Sequence, residues 1–191
     1  MKKRFLLLIS ALLLTAGLAG AQNKVALKTN LLGDASLSPN LGLEFALSPN
    51  WTLDLSATVN LWDSYGKTYK HVIAQPEIRW WSCESFRGFF VGLHGFGGKA
   101  SFGNLYDFSK YYSRFPDLKS NYLQRNWVFG AGIGCGYDVV LGRHWNLEFE
   151  AGVGYAYVAG KELKNGREVS SKSVFDYVGP TKLAINIVYL F

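Results

Sequence analysis

The ten residues from Lys182 to Phe191 read K-L-A-I-N-I-V-Y-L-F and alternate in side-chain character. Because successive side chains of a β-strand point to opposite faces, one face is bulky and apolar and the other begins with small and polar residues. The apolar face contains Leu183, Ile185, Ile187, Tyr189 and Phe191, and the other face contains Lys182, Ala184 and Asn186. The run predicts an amphipathic strand whose apolar face needs an apolar neighbour, which is either a second sheet or lipid.

The rest of the chain repeats this pattern. Eight alternating or apolar segments, separated by turn residues, cover approximately 25–32, 39–47, 51–62, 70–81, 88–100, 125–140, 145–158 and 178–191. In the third segment the odd-numbered residues from Trp51 are apolar and the even-numbered ones are polar, and the seventh repeats this from Trp145. Such alternation predicts an all-β fold, and the even strand count is that of bacterial transmembrane barrels.

The connections between these segments alternate in length. The second, fourth and sixth are short, at 48–50, 82–87 and 141–144, whereas the later odd-numbered connections reach 101–124 and 159–177. This is typical of an up-and-down barrel with tight periplasmic turns and longer outer loops, and it favours a barrel over a soluble sandwich. A chain that starts in the periplasm places all the short turns, and Phe191, on that side.

Aromatic residues cluster near the short connections. Trp and Tyr prefer the interface between hydrocarbon and water, so the cluster predicts a girdle at the inner leaflet. Its members are Phe45, Trp51, Trp80, Phe89, Tyr137, Trp145, Tyr189 and Phe191. After the leader, no charge-free stretch has the roughly 18 residues of a spanning helix, and only helices and closed barrels satisfy the backbone in lipid. The chain is therefore expected to form an eight-stranded antiparallel up-and-down transmembrane β-barrel.

The first 21 residues have the three parts of a secretory signal peptide. A basic start, Lys2 to Arg4, precedes an apolar run from Phe5 to Leu18 and an Ala19-Gly20-Ala21 exit site. A permanent membrane-anchoring helix is the alternative, and its length and exit site count against it. We expect cleavage to leave one domain, residues 22–191, in the outer membrane. Removal of three basic residues lowers the net charge from +6 to +3, and no basic tract indicates a nucleic-acid partner.

The interior of an eight-stranded barrel is just wide enough to be filled by side chains, so we do not expect an open pore. Alternation predicts an inward polar network of Lys28, Glu44, Asp54, Glu77, Arg79, Glu148, Glu150 and Lys182, together with Asn60, Gln75 and Asn186. Charges in so narrow a space need ion pairs. The network is interpreted as a polar plug, with a proton or ion path as the alternative.

Glycines and a proline in the predicted strands lead to two further expectations about the barrel wall. Inward glycines on the sixth and seventh segments should leave room for long side chains from the opposite wall, such as Arg79 and Lys182; they are Gly130, Gly132, Gly134, Gly136, Gly152 and Gly154. Pro76 has no N–H to donate, which predicts a bulge near Gln75-Pro76-Glu77.

Catalytic and metal chemistry find little support. The three histidines, His71, His94 and His144, have no serine in an H-x-S arrangement, and no His or Cys pair has metal-ligand spacing. We therefore expect no catalytic residue, metal or cofactor. Cys83 falls in a predicted turn and Cys135 on an outward face, an arrangement that does not favour a disulfide.

The long fifth connection is the candidate binding region. It combines aromatic and basic residues, which suit a protein, a glycan or the phosphates of lipopolysaccharide. The candidates are Tyr106, Tyr111, Tyr112, Arg114 and Tyr122. The alternative is a loop that only packs over the barrel mouth and extends some strands beyond the membrane.

Several motifs together resemble a known family. They are L-K-T-N-L-L, P-N-L-G-L-E-F, W-T-L-D-L, Q-P-E-I-R-W-W, G-R-H-W-N-L-E, G-V-G-Y-A and V-G-P-T-K-L. In order and content they resemble an uncharacterised family of Bacteroidota outer-membrane proteins known only as a domain of unknown function. The resemblance implies a barrel with no established activity, whose relatives often accompany fimbrial proteins. It supports an assembly or anchoring role and carries over no catalytic residue.

The functional expectation is a non-enzymatic outer-membrane barrel with a structural or surface-interaction role, of which an accessory role in fimbrial or other surface assembly is one form. Expected partners are outer-membrane lipids and lipopolysaccharide, the barrel-assembly machinery through the strand that ends at Phe191, and a surface or fimbrial protein. A lipid-modifying enzyme that acts on lipid A or phospholipid is the second hypothesis, and a small transporter is the third.

Overall fold

The computed structural model of the chain describes residues 25–64, 67–103, 121–164 and 167–191. These residues form nine strands and one short helix. The strands are β1 (Val25–Asn30), β2 (Asn40–Ser48), β3 (Trp51–Asn60), β4 (Asp63–Ser64), β5 (Lys67–Trp81), β6 (Gly88–Gly103), β7 (Asn121–Val140), β8 (Trp145–Lys164) and β9 (Arg167–Leu190), and the helix is α1 (Leu31–Ala35). The predicted leader, residues 1–21, lies outside the described residues.

The sheet closes on itself. Every pairing is antiparallel, and each main strand pairs with its neighbours in the chain. β1 pairs with β9 as well as with β2, and β3 pairs with β5, which completes the ring. The two-residue β4 also pairs with β5 and prolongs the line of β3, so the wall has eight strands. The predicted eight-stranded antiparallel up-and-down β-barrel is confirmed.

Large apolar side chains cover the outside of this wall. Ile133 in β7 is 64% exposed, Trp145 in β8 is 51% exposed, and Leu183 in β9 is 66% exposed. Their neighbours along each strand point inward, and the buried ones include Asp54, Arg79 and many other polar residues. An apolar exterior around a polar interior is the reverse of the arrangement in a soluble sandwich.

Strands β6 to β9 are longer than predicted. The predicted connection at 159–177 is wrong, because β8 continues to Lys164 and β9 begins at Arg167. β6 likewise reaches Gly103 and β7 begins at Asn121. The hydrogen bonds between strands are made by the backbone and do not require apolar side chains. Beyond the apolar part of the wall, a strand can therefore continue through polar sequence such as K-E-L-K.

β1 is shorter than predicted and ends at Asn30. The Asn30 side chain accepts a hydrogen bond from the Leu32 N–H at 3.1 Å and so caps α1. Its amide also donates to the Leu183 carbonyl, and its oxygen accepts from the Ile185 N–H. One polar residue therefore begins a helix and ties its first turn to β9.

No helix in the described part of the chain has the length and apolarity to cross a membrane.

The bulge expected at Pro76 is absent. Pairing of β5 with β3 runs without a register shift, with Pro76 opposite Leu55. Pairing with β6 is interrupted between Ala74 and Glu77 but resumes in the same register, because a missing donor removes a hydrogen bond without requiring an extra residue. A register shift occurs instead between β8 and β9, where Thr181 lies unpaired between Pro180 and Lys182.

The end of the barrel with the short turns contains a compact apolar cluster, here called the apolar floor. It consists of Ala26, Trp81, Phe86, Phe90, Val188 and Leu190. Phe86 belongs to the turn between β5 and β6, and its positive φ of 66° directs this turn residue into the barrel, where it is buried. The Trp81 and Phe90 rings lie 4.7 Å apart. The apolar floor fills the interior at this end.

Candidate functional site

The eight charged residues predicted to face inward all lie together inside the barrel. They come from β1, β2, β3, β5, β8 and β9, and we call them the charged network. Its members are Lys28, Glu44, Asp54, Glu77, Arg79, Glu148, Glu150 and Lys182. All but Lys182 are almost completely buried. The three further predicted residues, Asn60, Gln75 and Asn186, also lie inside, with Asn60 and Asn186 buried.

Arg79 is the centre of the charged network. Its guanidinium nitrogens lie within 3.3 Å of all five carboxylates, three of which contribute its shortest contacts: Glu150 at 2.7 Å, Glu148 at 2.8 Å and Glu44 at 2.9 Å. The planar group carries five donors in a fixed geometry, so one side chain can serve carboxylates from four strands. Its carbon Cζ also lies 4.5 Å from the centroid of Phe90, a distance at which a cation and a ring attract.

The two lysines complete the pairing at the edges of the cluster. Lys28 Nζ lies 2.7 Å from Glu44 and 2.8 Å from Asp54. Lys182 pairs with Glu77 and lies 3.1 Å from Glu150. Five carboxylates therefore share three cations, and the fully ionised network has a formal charge of −2. Removal of either type of partner leaves buried charge uncompensated, which is costly.

Hydrogen bonds from uncharged side chains join the charged network to its surroundings, including the apolar floor. The Trp81 indole N–H donates to the Thr52 hydroxyl at 2.9 Å, and that hydroxyl donates to Glu44. At the other side, the Asn186 amide donates to Glu148 at 2.6 Å. The Trp81–Thr52–Glu44 hydrogen bonds thus fix the position of the floor relative to the network.

Three of the inward glycines, all on β7, lie opposite large side chains of β6. Gly136 pairs with Phe90, Gly132 with His94 and Gly130 with Phe96, and a Cβ at any of the three glycines would overlap the facing ring. These rings, rather than Arg79, are their nearest side-chain neighbours. Lys182 lies beside Gly152 as its partner on the adjacent strand and not on the opposite wall, and a Cβ on this glycine would be 3.3 Å from the lysine Cβ. The wall therefore pairs large with small residues across β6 and β7.

The three histidines have structural partners. His94 is buried inside the barrel, with Nε2 2.8 Å from the Thr181 hydroxyl. His71 Nδ1 lies 3.3 Å from the Tyr69 carbonyl, and His144 Nδ1 lies 2.9 Å from the Leu190 carbonyl. Within the described ranges, no group of three or more His, Cys, Asp or Glu residues is placed to hold a metal ion.

The candidate loop residues fall largely outside the described part of the chain. Four of them, Tyr106, Tyr111, Tyr112 and Arg114, lie outside it. The fifth, Tyr122, is part of strand β7. Their binding role remains a prediction. Cys83 and Cys135 are both exposed and unpaired, as expected of a turn and an outward-facing strand position.

Several buried interior residues were missed by the sequence reasoning. Trp81 and Asp138 are two of them, and Thr181, which is half-buried beside His94, also lies inside the barrel. Alternation could have placed Trp81 and Asp138 inside, because each follows an outward-facing aromatic residue. Asp138 is buried with neither carboxylate oxygen hydrogen-bonded among the described residues. The position of Thr181 could not have been found, since it depends on a register shift.

Fold and interior together define a small closed β-barrel with an apolar exterior and an ion-paired core. A family model described as a protein of unknown function, DUF3575, matches residues 5–191. The chain belongs to this family. No curated protein and no solved structure matches the chain.

Proposed function

We propose that the protein is a non-enzymatic barrel of the Gram-negative outer membrane with a structural or surface-interaction role. The observation that carries this proposal is the apolar outer face between two aromatic rims. On β7, Trp127 and Tyr137 are ten residues apart and both exposed. At about 3.3 Å per residue and a tilt near 45°, they are separated by about 23 Å along the barrel axis, close to the apolar band of such proteins.

Cross-strand contacts join aromatic residues along the rim at the turns. Trp51 is paired with Trp80, and Phe89 with Tyr137. The Trp145 and Tyr189 rings lie 4.9 Å apart, and the Phe191 ring packs 5.1 Å from Tyr189. Such a belt suits the interface between lipid and water. Export by the predicted signal peptide, and recognition of the last strand by the barrel-assembly machinery, would deliver the chain to this membrane.

The two levels of the interior that side chains occupy support a role other than diffusion. The apolar floor and the charged network occupy successive levels of the barrel, and both are built from side chains buried in contact with one another. We place the proposed role at the end opposite the short turns. β8 and β9 extend towards this end, to Lys164 and from Arg167. A surface or fimbrial protein, or lipopolysaccharide, is the partner we propose there.

The lipid-modifying alternative is weaker. His94, paired with Thr181, is the histidine closest to a hydroxyl nucleophile, but it faces the barrel interior and is 1% exposed. Incubation of the folded protein with lipopolysaccharide, followed by mass analysis of lipid A, tests this alternative. A deacylated product that is lost in His94→Ala would favour the enzyme over the structural role.

A matched pair of charge substitutions tests the membrane proposal. Ile133, midway along the outer face of β7, and Leu141, in a short turn, are both 64% exposed. In lipid, Ile133→Arg should destabilise the barrel by about 2–4 kcal/mol, whereas Leu141→Arg should change stability by less than about 0.5 kcal/mol. Urea titrations of the protein in phospholipid vesicles, followed by tryptophan fluorescence, measure both. Equal small effects, or a wild-type protein that folds as a monomer without detergent, would refute the proposal.

A further inference from the structure

A cavity of about 290 Å³ lies inside the barrel, above the charged network on the side away from the short turns. Lys28, Asp54 and Lys182 contribute to its lining at the level of the network, and Asn40 and His71 do so nearer the long connections. Its volume is close to the lower limit of about 300 Å³ for small-molecule sites. The cavity is distinct from the apolar floor at the opposite end.

Two buried polar atoms in this lining lack a hydrogen-bond partner among the described residues. One is Asp54 Oδ1, an acceptor, and the other is Gln75 Nε2, a donor. Asp54 is 2% exposed, and its second oxygen is engaged by Lys28 and Arg79. Buried polar groups normally have partners, so the pair indicates that something else completes the site.

The two residues that carry these atoms are neighbours on the inward face. In the β3–β5 register Ser56 is opposite Gln75 and Asp54 is opposite Glu77, so Asp54 and Gln75 are diagonal neighbours on the inward face. A hydroxyl can donate to the carboxylate oxygen and accept from the amide at the same time. Phe96 also lines the cavity and offers an apolar surface to the C–H face of a sugar ring.

Charge favours a neutral occupant over an anion. Lys28 is already paired with Glu44 and Asp54, and Lys182 with Glu77 and Glu150. The network below the cavity has an excess of carboxylates, so a phosphate or carboxylate group would meet unfavourable charge.

We propose that this cavity binds a small, neutral, polyhydroxylated molecule of monosaccharide size. One hydroxyl of the ligand bridges Asp54 Oδ1 and Gln75 Nε2, and its ring packs on Phe96. The inference goes beyond the proposed membrane role, and it holds whatever surrounds the outside of the barrel.

Saturation-transfer NMR on the full chain, folded in an amine-oxide detergent that has no sugar headgroup, tests the inference. The probes are the methyl glycosides of glucose, galactose and mannose, with glycerol, and inorganic phosphate is the anionic comparison. We expect saturation transfer to at least one polyol and no phosphorus line broadening with phosphate. Absence of transfer to every polyol, or broadening of phosphate alone, would overturn the proposal.

Variants show whether the signal arises in this cavity. Gln75→Leu removes the unpartnered donor and should weaken polyol binding about tenfold in calorimetric titration. Thr58→Phe, which fills the cavity from another lining position, should abolish binding. Arg87→Ala at the opposite mouth should bind like wild type. Heat-modifiable migration on gels verifies folding of each variant. Unchanged affinity in both cavity variants would show that the polyol binds elsewhere and would refute the assignment.

Discussion

The apolar floor and the charged network fill the same narrow interior by opposite physical means. The floor depends on burial of ring and aliphatic surface, in which any well-fitting apolar side chain contributes. The network depends on specific pairing, because each carboxylate tolerates burial only while its cations remain in place. One barrel therefore contains a region that tolerates apolar exchange beside a region that does not. Two substitutions test this contrast, and a third tests the wall that surrounds both regions.

Arg79→Met should have the largest effect. The replacement keeps a long unbranched side chain but leaves five buried carboxylates with two lysines, and we expect a loss of about 3–5 kcal/mol or failure to fold. Urea titration in detergent micelles measures it, with Arg87→Met in the exposed turn as the control. A loss below about 1 kcal/mol would mean that the network tolerates apolar replacement as the floor does.

Gly132→Ala should have an intermediate effect. The added Cβ would lie 2.6 Å from His94 Nε2 and 2.5 Å from the Val153 carbonyl oxygen, and overpacking of this kind costs about 1–3 kcal/mol. Gly142→Ala is the matched control, since a Cβ there meets no atom within 4 Å. The midpoint of thermal unfolding, read from gel mobility, compares the two. Equal midpoints would show that the wall around His94 yields easily.

Phe90→Leu should have the smallest effect. The new side chain still fills the floor against Trp81, and a swap between apolar residues costs about 1 kcal/mol. Part of that loss comes from the contact of Arg79 with the ring. The same urea titration detects it, and Phe89→Leu on the outward face is the neighbouring control. A loss as large as that in Arg79→Met would erase the distinction between the two regions.

Much of this architecture could be predicted because a strand has a two-residue period. Alternation alone placed Asp54, Arg79 and Glu148 on the inward face, and the interior is narrow enough that inward charges must meet. The extensions of β8 and β9 could not be predicted, since no apolar stripe marks a strand that has left the apolar band. Phe86 was hidden for a different reason: its burial depends on a positive φ in a turn.

The contacts of Arg79 have a consequence for assembly. The arginine lies on β5 and its shortest contacts include two glutamates on β8, 69 and 71 residues later in the chain. A partly formed sheet that ends before β8 supplies Glu44, Asp54 and Glu77 but not these two anions, so the guanidinium has only some of its partners until β8 is in place. Complete pairing of the buried arginine therefore depends on the late strands of the barrel, which disfavours stable half-finished sheets.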